Sequence, residues 1–202
     1  MDDSVVITLF RHGITDENRR GAYIGWTNTQ LSEQATFTSV DEGNVDLVFT
    51  SDLDRSKQSA KHLFPMKKAI EMSAFRELYF GSWECKTYDD LKHDEHYRTW
   101  ITEPFTLSPP GGESFQTFSE RIDGGFDKIL KRMGSNRSIA LVTHGGVIRY
   151  LLTKYAPTQR SFWDWKVSHG TGVELEWNVE ELRRGERCIS LQEVRTTENQ
   201  NG

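Results

Sequence analysis

Only two of the 202 residues are cysteine, Cys85 and Cys188, and neither sits in a CxxC pair or beside a set of candidate zinc partners. A disulfide-stapled scaffold and a zinc module are therefore excluded, and both residues read as free structural thiols of a reducing compartment. Five prolines and 16 glycines fall far short of a collagen composition. No uninterrupted apolar run approaches the ~18 residues that span a bilayer. The start, Met1-Asp2-Asp3-Ser4, lacks the basic n-region and apolar stretch of a signal peptide. Positive charge is short as well: 25 Lys and Arg stand against 30 Asp and Glu, a net charge of −5. Such a field repels polyanions, and no basic face of the nucleic-acid-binding kind is visible, so an anionic ligand would need a local basic pocket. These absences lead us to expect a cytoplasmic chain with neither membrane nor nucleic-acid partner. No internal repeat, low-complexity run or interdomain linker is found.

What is present is an alternation of strands and helices. Val5 to Phe10 is a β-branched apolar run suited to a strand buried on both faces, and it ends on Arg11-His12-Gly13. Asp46 to Thr50 repeats the pattern. Ser51-Asp52 then supplies N-cap chemistry for a helix from Leu53 to Phe64, closed by Pro65. Ser138 to Thr143 is a third such strand, running into His144-Gly145-Gly146 and an apolar helical face of Val147, Ile148, Leu151, Leu152 and Tyr155. Between them lie a short strand around 69–72, a mixed segment over 83–100 and the Pro109 to Gly112 loop. From Phe115 a long amphipathic helix runs to Met133 and is stopped by Gly134, with Gly124-Gly125 marking a close helix contact or a bend. Val173 to Trp177 and Cys188 to Val194 alternate like an antiparallel edge hairpin, and residues 195–202 read as a flexible tail. The expected architecture is a single α/β domain over 1–202: a three-layer sandwich with a mostly parallel central sheet, helices on both faces and an antiparallel edge.

In such sheets ligands collect at the carboxyl ends of the strands, where the unusual residues stand. Arg11-His12-Gly13, the Ser51 to Arg55 turn and His144-Gly145-Gly146 therefore converge in one crevice. Two guanidinium forks match the oxygens of a phosphate dianion and stay charged. Imidazole among them is a good nucleophile near pH 7, and the flanking positive charge favours its neutral form. The chemistry that follows is phosphoryl transfer through a phosphohistidine.

Residues 9–18, LFRHGITDEN, resemble the RHGxTxxN signature of the histidine phosphatase (phosphoglycerate mutase-like) superfamily. Five further segments agree in order: residues 23–32 (YIGWTNTQLS), 50–60 (TSDLDRSKQSA), 76–84 (RELYFGSWE), 110–114 (PGGES) and 143–149 (THGGVIR). The resemblance spans roughly residues 5 to 177. It implies that His12 is the phosphorylated nucleophile, that Arg11, Arg55 and His144 clamp the phosphate, and that Glu77 donates a proton to the leaving alkoxide. A carboxyl group beside a bound dianion gains a reason to hold that proton, and Glu84 and Glu113 in neighbouring motifs are alternative candidates for the role. Asn18 is implied as a neutral phosphate donor, and the backbone around Ile24, Gly25 and Gly145 as further donors. Neither metal nor cofactor is implied, and the partner would be a small phosphorylated metabolite.

The bland readings go to the other histidines. His93 and His96 do not fit HExxH and read as a solvated helix face, and so does His62; His169 is treated alike, with the reservation that it rims the pocket. Trp26, Trp83, Trp163 and Trp165 are candidates to border an apolar or ring-shaped leaving group. Three positions depart from the family pattern: Cys85 replaces a usual glycine, Asp52 a usual proline, and the segment after Leu31 is short. Asp52 would weaken phosphate binding if it paired with Arg55. Residues 73–113 read as a cap, and the 36 positions separating Glu77 from Glu113 are few beside the long insertion typical of the mutases. A short cover gives water access to a phosphohistidine, so we expect a cofactor-independent phosphatase of small phosphomonoesters, similar to α-ribazole phosphatases and broad-specificity bacterial phosphatases. The alternatives are a phosphoglycerate mutase-like phosphotransferase and a catalytically weak phospho-ligand-binding module. Either a monomer or a homodimer is compatible with the sequence.

Overall fold

The computed structural model describes residues 4–194. The expected tail over 195–202 lies outside the described residues. Strand β1 (Ser4–Arg11) is followed by a four-residue helix α1 (Asp16–Arg19), then by β2 (Leu47–Thr50) and α2 (Asp54–Leu63). The short strand β3 (Ile70–Glu71) leads to helices α3 (Tyr88–Leu91), α4 (Glu95–Thr102) and α5 (Phe115–Met133). Strand β4 (Ser138–Thr143), α6 (Gly145–Tyr155), β5 (Gly172–Asn178), α7 (Val179–Arg183) and β6 (Ser190–Glu193) complete the order.

The six strands form one sheet in the order β3-β2-β4-β1-β5-β6. β1, β2, β3 and β4 pair in parallel, with Arg11 opposite Thr143 and Thr50 opposite Val142, while β5 runs antiparallel to both β1 and β6. This is the expected mostly parallel sheet with an antiparallel edge. Alternation along β4 explains the layers: Ile139 and Leu141 join Val5, Ile7 and Leu9 against α5 and α6, whereas Ala140 and Val142 join Phe10 and Val48 against Ala60 and Leu63 of α2. Side chains such as Ile7, Phe49 and Leu141 are fully buried, and each contributes about 1.5–3 kcal/mol relative to an exposed position. No helix among the described residues is long and apolar enough to cross a membrane.

Two local expectations are corrected. Helix α2 begins at Asp54 with Leu53 as its N-cap, and no side chain caps it. Ser51 and Asp52 are spent elsewhere: the Ser51 hydroxyl is bonded to His144, and Asp52 pairs bidentately with Arg76 at 2.7 and 2.5 Å. Asp52 therefore does not pair with Arg55. The polar stretch between β5 and β6 is also more ordered than a loop, because Asn178 accepts from the N–H of Glu180 and starts α7. At Gly125 of α5 an added Cβ would lie 2.7 Å from Ala74, so the glycine pair marks a close contact at its second member, while Gly124 faces open space.

Candidate active site

The carboxyl ends of β1, β2 and β4 deliver the predicted residues to one place. Arg11 ends β1 and His12 follows it; Arg55 lies in the first turn of α2 after β2; His144 is the N-cap of α6 after β4. The His12 and His144 rings stand 5.1 Å apart, centroid to centroid. His12 Nδ1 is 2.6 Å from the carbonyl oxygen of Gly13. A carbonyl only accepts, so the proton sits on Nδ1 and the lone pair is left on Nε2. Burial, together with Arg55, His169 and Arg11, holds the His12 pKa well below the ordinary histidine range. His144 is likewise held down by burial and Arg55, with His12 next. Its Nε2 is 2.9 Å from the Ser51 hydroxyl, and its Nδ1 is buried without a partner among the described residues.

Arg55 is 1% exposed, a buried cation held by carbonyls. It donates to the backbone oxygens of Thr27 at 2.9 Å and Gly25 at 2.7 Å, and reaches Ile24 at 3.5 Å, while its Nε is left without a partner. Burial draws its pKa down to about 10 against the opposing charges of Glu77 and Glu84, so it remains cationic at neutral pH. Arg11 donates to the Val167 carbonyl at 2.9 Å, and its guanidinium lies over Gly145, where a Cβ would stand 3.3 Å away. Glu77 accepts from the backbone N–H groups of Leu78 and Gly146, each at 2.9 Å. A Cβ on Gly146 would fall 2.2 Å from Oε1 of that carboxylate, so a side chain there would displace Glu77 from its present position.

The neutral donors are distributed less evenly than expected. Asn18 uses its Oδ1 to accept from the backbone N–H and hydroxyl of Thr15, closing a capping box on α1 and leaving its amide nitrogen for other contacts. Gly25 does not offer its N–H to the crevice. That group and those of Trp26, Thr27 and Phe80 all donate to the Glu84 carboxylate at 2.9–3.1 Å. Ile24 lines the cavity described next, and Gly145 opens α6 at the mouth of the crevice.

A cavity of about 210 Å³ adjoins Glu77, Asn18 and Gly146, and its wall is aromatic, with Phe105, Phe115 and Trp163 among its members. Of the four tryptophans considered from sequence only Trp163 lines it; Trp83 is buried in the cluster of residues 73–113 with Tyr97 and Trp100, Trp165 joins the main core, and Trp26 lies under Arg76. Arg149 also faces this cavity and lies 5.5 Å from the Trp163 ring. Of the neighbouring acid candidates, Glu84 is taken up by the four backbone amides and Glu113 pairs with Arg121 at 2.7 Å; the bond from Ser51 to His144 and the place of Arg149 in the cavity wall were not expected from sequence. His96 donates from Nε2 to the Ser108 carbonyl at 2.8 Å, and His62 stacks on Phe37, so both have structural partners. Among the described residues no group of three or more His, Cys, Asp or Glu side chains is placed to hold a metal ion.

An adenosylcobalamin/alpha-ribazole phosphatase of Salmonella typhimurium is 29% identical over 173 residues, covering 80% of this chain and 85% of the relative. A 2,3-bisphosphoglycerate-dependent phosphoglycerate mutase of Bartonella bacilliformis is 25% identical over 163 residues, covering 72% and 79%. The crystal structure of the alpha-ribazole phosphatase from Shigella flexneri superposes with a TM-score of 0.78 at 24% identity over 97% of this chain and all of that one, a likeness of fold. Residues 7–185, a span that holds both buried imidazoles, both arginines and Glu77, match the histidine phosphatase superfamily (branch 1), and the chain belongs to that superfamily.

Proposed function

We propose that the chain hydrolyses small-molecule phosphomonoesters through a phosphohistidine on His12. The observation that carries this reading is the pair of imidazoles 5.1 Å apart at the sheet's carboxyl edge, both depressed in pKa first by burial and then by Arg55 and Arg11. A neutral His12 with its lone pair on Nε2 is a nucleophile at physiological pH, and the cations that depress it also stabilise the charge of the phosphoryl transition state. In the first step Nε2 attacks phosphorus, the ester P–O bond breaks, and Glu77 passes a proton to the departing oxygen. In the second step water attacks the phosphohistidine, its proton goes to Glu77, and the P–N bond breaks to release inorganic phosphate.

The roles of Arg11, Arg55 and His144 are those of a clamp on the non-bridging oxygens, helped by the amide of Asn18 and the backbone of Ile24 and Gly145. The aromatic cavity beside Glu77 suits a leaving group with an apolar or ring-shaped body, and residues 73–113 form its cover. Relatives named for alpha-ribazole make α-ribazole phosphate a member of the substrate panel, with sugar phosphates, phosphoglycerates and nucleotides beside it. The test is acid-quenched labelling with a radioactive phosphomonoester. Label is expected on His12, and His12→Ala should be inactive. An active His12→Ala enzyme would refute the scheme, whereas interconversion of 2- and 3-phosphoglycerate stimulated by the bisphosphate would assign the chain to the mutases.

A further inference from the structure

A third imidazole stands at the site. His169 packs edge-on to His12 with ring centroids 5.3 Å apart, nearly the spacing of His12 and His144. The turn that carries it is fastened to the first strand. Gly170 donates its N–H to the carbonyls of both Arg11 and His12, at 3.0 and 3.1 Å, and Arg11 donates back to the Thr171 carbonyl at 2.9 Å. Gly170 adopts φ +73°, and a Cβ there would lie 1.9 Å from the Thr36 carbonyl oxygen. No other residue fits that position, so the placement of His169 beside the nucleophile is built into the backbone.

The second observation concerns what these groups lack. His169 Nε2 is buried without a hydrogen-bond partner among the described residues, and so are Arg11 Nε, Arg55 Nε and His144 Nδ1. Buried polar nitrogens are ordinarily paired. Four orphans on the four side chains that surround His12 point to a ligand with several acceptor oxygens, each able to take one or two of them. Burial and Arg11 hold the His169 pKa down to about 4, so its ring is neutral at physiological pH and carries a single N–H.

We propose that His169 is a further phosphoryl contact, donating Nε2–H to a non-bridging oxygen while His12 Nε2 bonds to phosphorus. This rests on the phosphatase reading above. As a neutral ring at physiological pH, His169 adds a hydrogen bond, and only its protonated form would lower the His12 pKa. Nothing in the family motifs quoted above reaches this residue.

The test compares His169→Phe, which fills the space and keeps an edge against His12 but cannot donate, with His169→Gln, whose amide nitrogen can occupy the Nε2 position. Should the phenyl ring prevent folding, His169→Leu serves as the variant without a donor. Two quantities are read: kcat/KM for p-nitrophenyl phosphate, and the affinity for orthovanadate, a mimic of the pentavalent phosphoryl group, by titration calorimetry. Loss of one hydrogen bond to a charged oxygen should cost about 10- to 100-fold in both for the Phe variant, while Gln stays within about threefold of the wild type. A Phe variant equal to the wild type, or a Gln variant as impaired as Phe, overturns the proposal. If orthovanadate follows the expected pattern but the wild type turns over no ester, the phosphatase reading fails and the His169 contact stands. Turnover with orthovanadate affinity indifferent to either variant has the opposite meaning, and a wild type that neither turns over nor binds orthovanadate removes both.

Discussion

Glu77 receives hydrogen bonds from two backbone amides, Leu78 and Gly146, which hold its carboxylate in the wall of the aromatic cavity, beside the turn that follows His144. A group fixed in this way matters most when the departing oxygen needs a proton. Glu77→Gln should therefore lower kcat on an alkyl phosphate by about 10²- to 10⁴-fold. The loss on p-nitrophenyl phosphate should be under about tenfold, because nitrophenolate leaves readily as an anion. Equal losses, measured by initial rates on the two esters, would take the acid role away from Glu77. Cys85 is a second residue with a specific cost. It sits at φ +63°, the left-handed region that disfavours any side chain, where the family pattern has glycine. Cys85→Gly is expected to raise stability by about 1 kcal/mol in urea titrations, and a drop in the midpoint would show that the cysteine side chain holds something the strain offsets. The convergence of Arg11, His12, Arg55 and His144 was legible because motif and topology spoke together, while Glu77 rested on the motif resemblance alone. The bonding partners of Ser51 and Glu84 were not legible, since they depend on which atoms meet across 58 to 93 residues of chain, and spacing carries no such information.

Elements rather than residues set where those groups stand, and α5 offers a clean comparison. Gly124 faces open space, while a Cβ on Gly125 would press to 2.7 Å of Ala74 and 3.1 Å of Phe75. Gly124→Ala should stabilise the protein by about 0.5–1 kcal/mol through helix propensity alone. Gly125→Ala should instead cost about 1–3 kcal/mol, because that contact is overpacked. Thermal unfolding of the two variants checks both signs, and two shifts in the same direction would contradict the packing described. β1, β4 and α5 were readable because buried strands and long amphipathic helices write their periods plainly. Helix α2 misled at its start for a physical reason: Ser51 and Asp52 have capping chemistry, but the hydroxyl is drawn to His144 and the carboxylate to Arg76. Competition between a local cap and a distant partner is decided in three dimensions.

Across the whole molecule, His12 and His144 are buried neutral among cations, with His169 held neutral beside them, and this couples function to stability. Their folded pKa values lie well below 6.5, so as pH falls through 6.5 the unfolded chain takes up protons that the folded one refuses. Stability is thus expected to be full above about pH 7 and to fall on acidification by up to roughly 1.4 kcal/mol per pH unit for each such histidine. Asp46 and Asp52, whose pKa values are lowered by backbone amides and by Arg76 respectively, act in the same direction, but only below the carboxylate range. Urea midpoints between pH 7 and 5 isolate the histidines, and His144→Asn should flatten the slope; an unchanged slope would mean that the His144 ring is not held neutral in the fold. Glu84 points to a consequence of another kind. By gathering the amides of residues 25–27 and Phe80 around one internal carboxylate, it fixes the ribbon whose carbonyls steady Arg55. Under the proposed phosphatase reading, an ester reaching Arg55 would meet a mould whose backbone is already tied down by that one carboxylate.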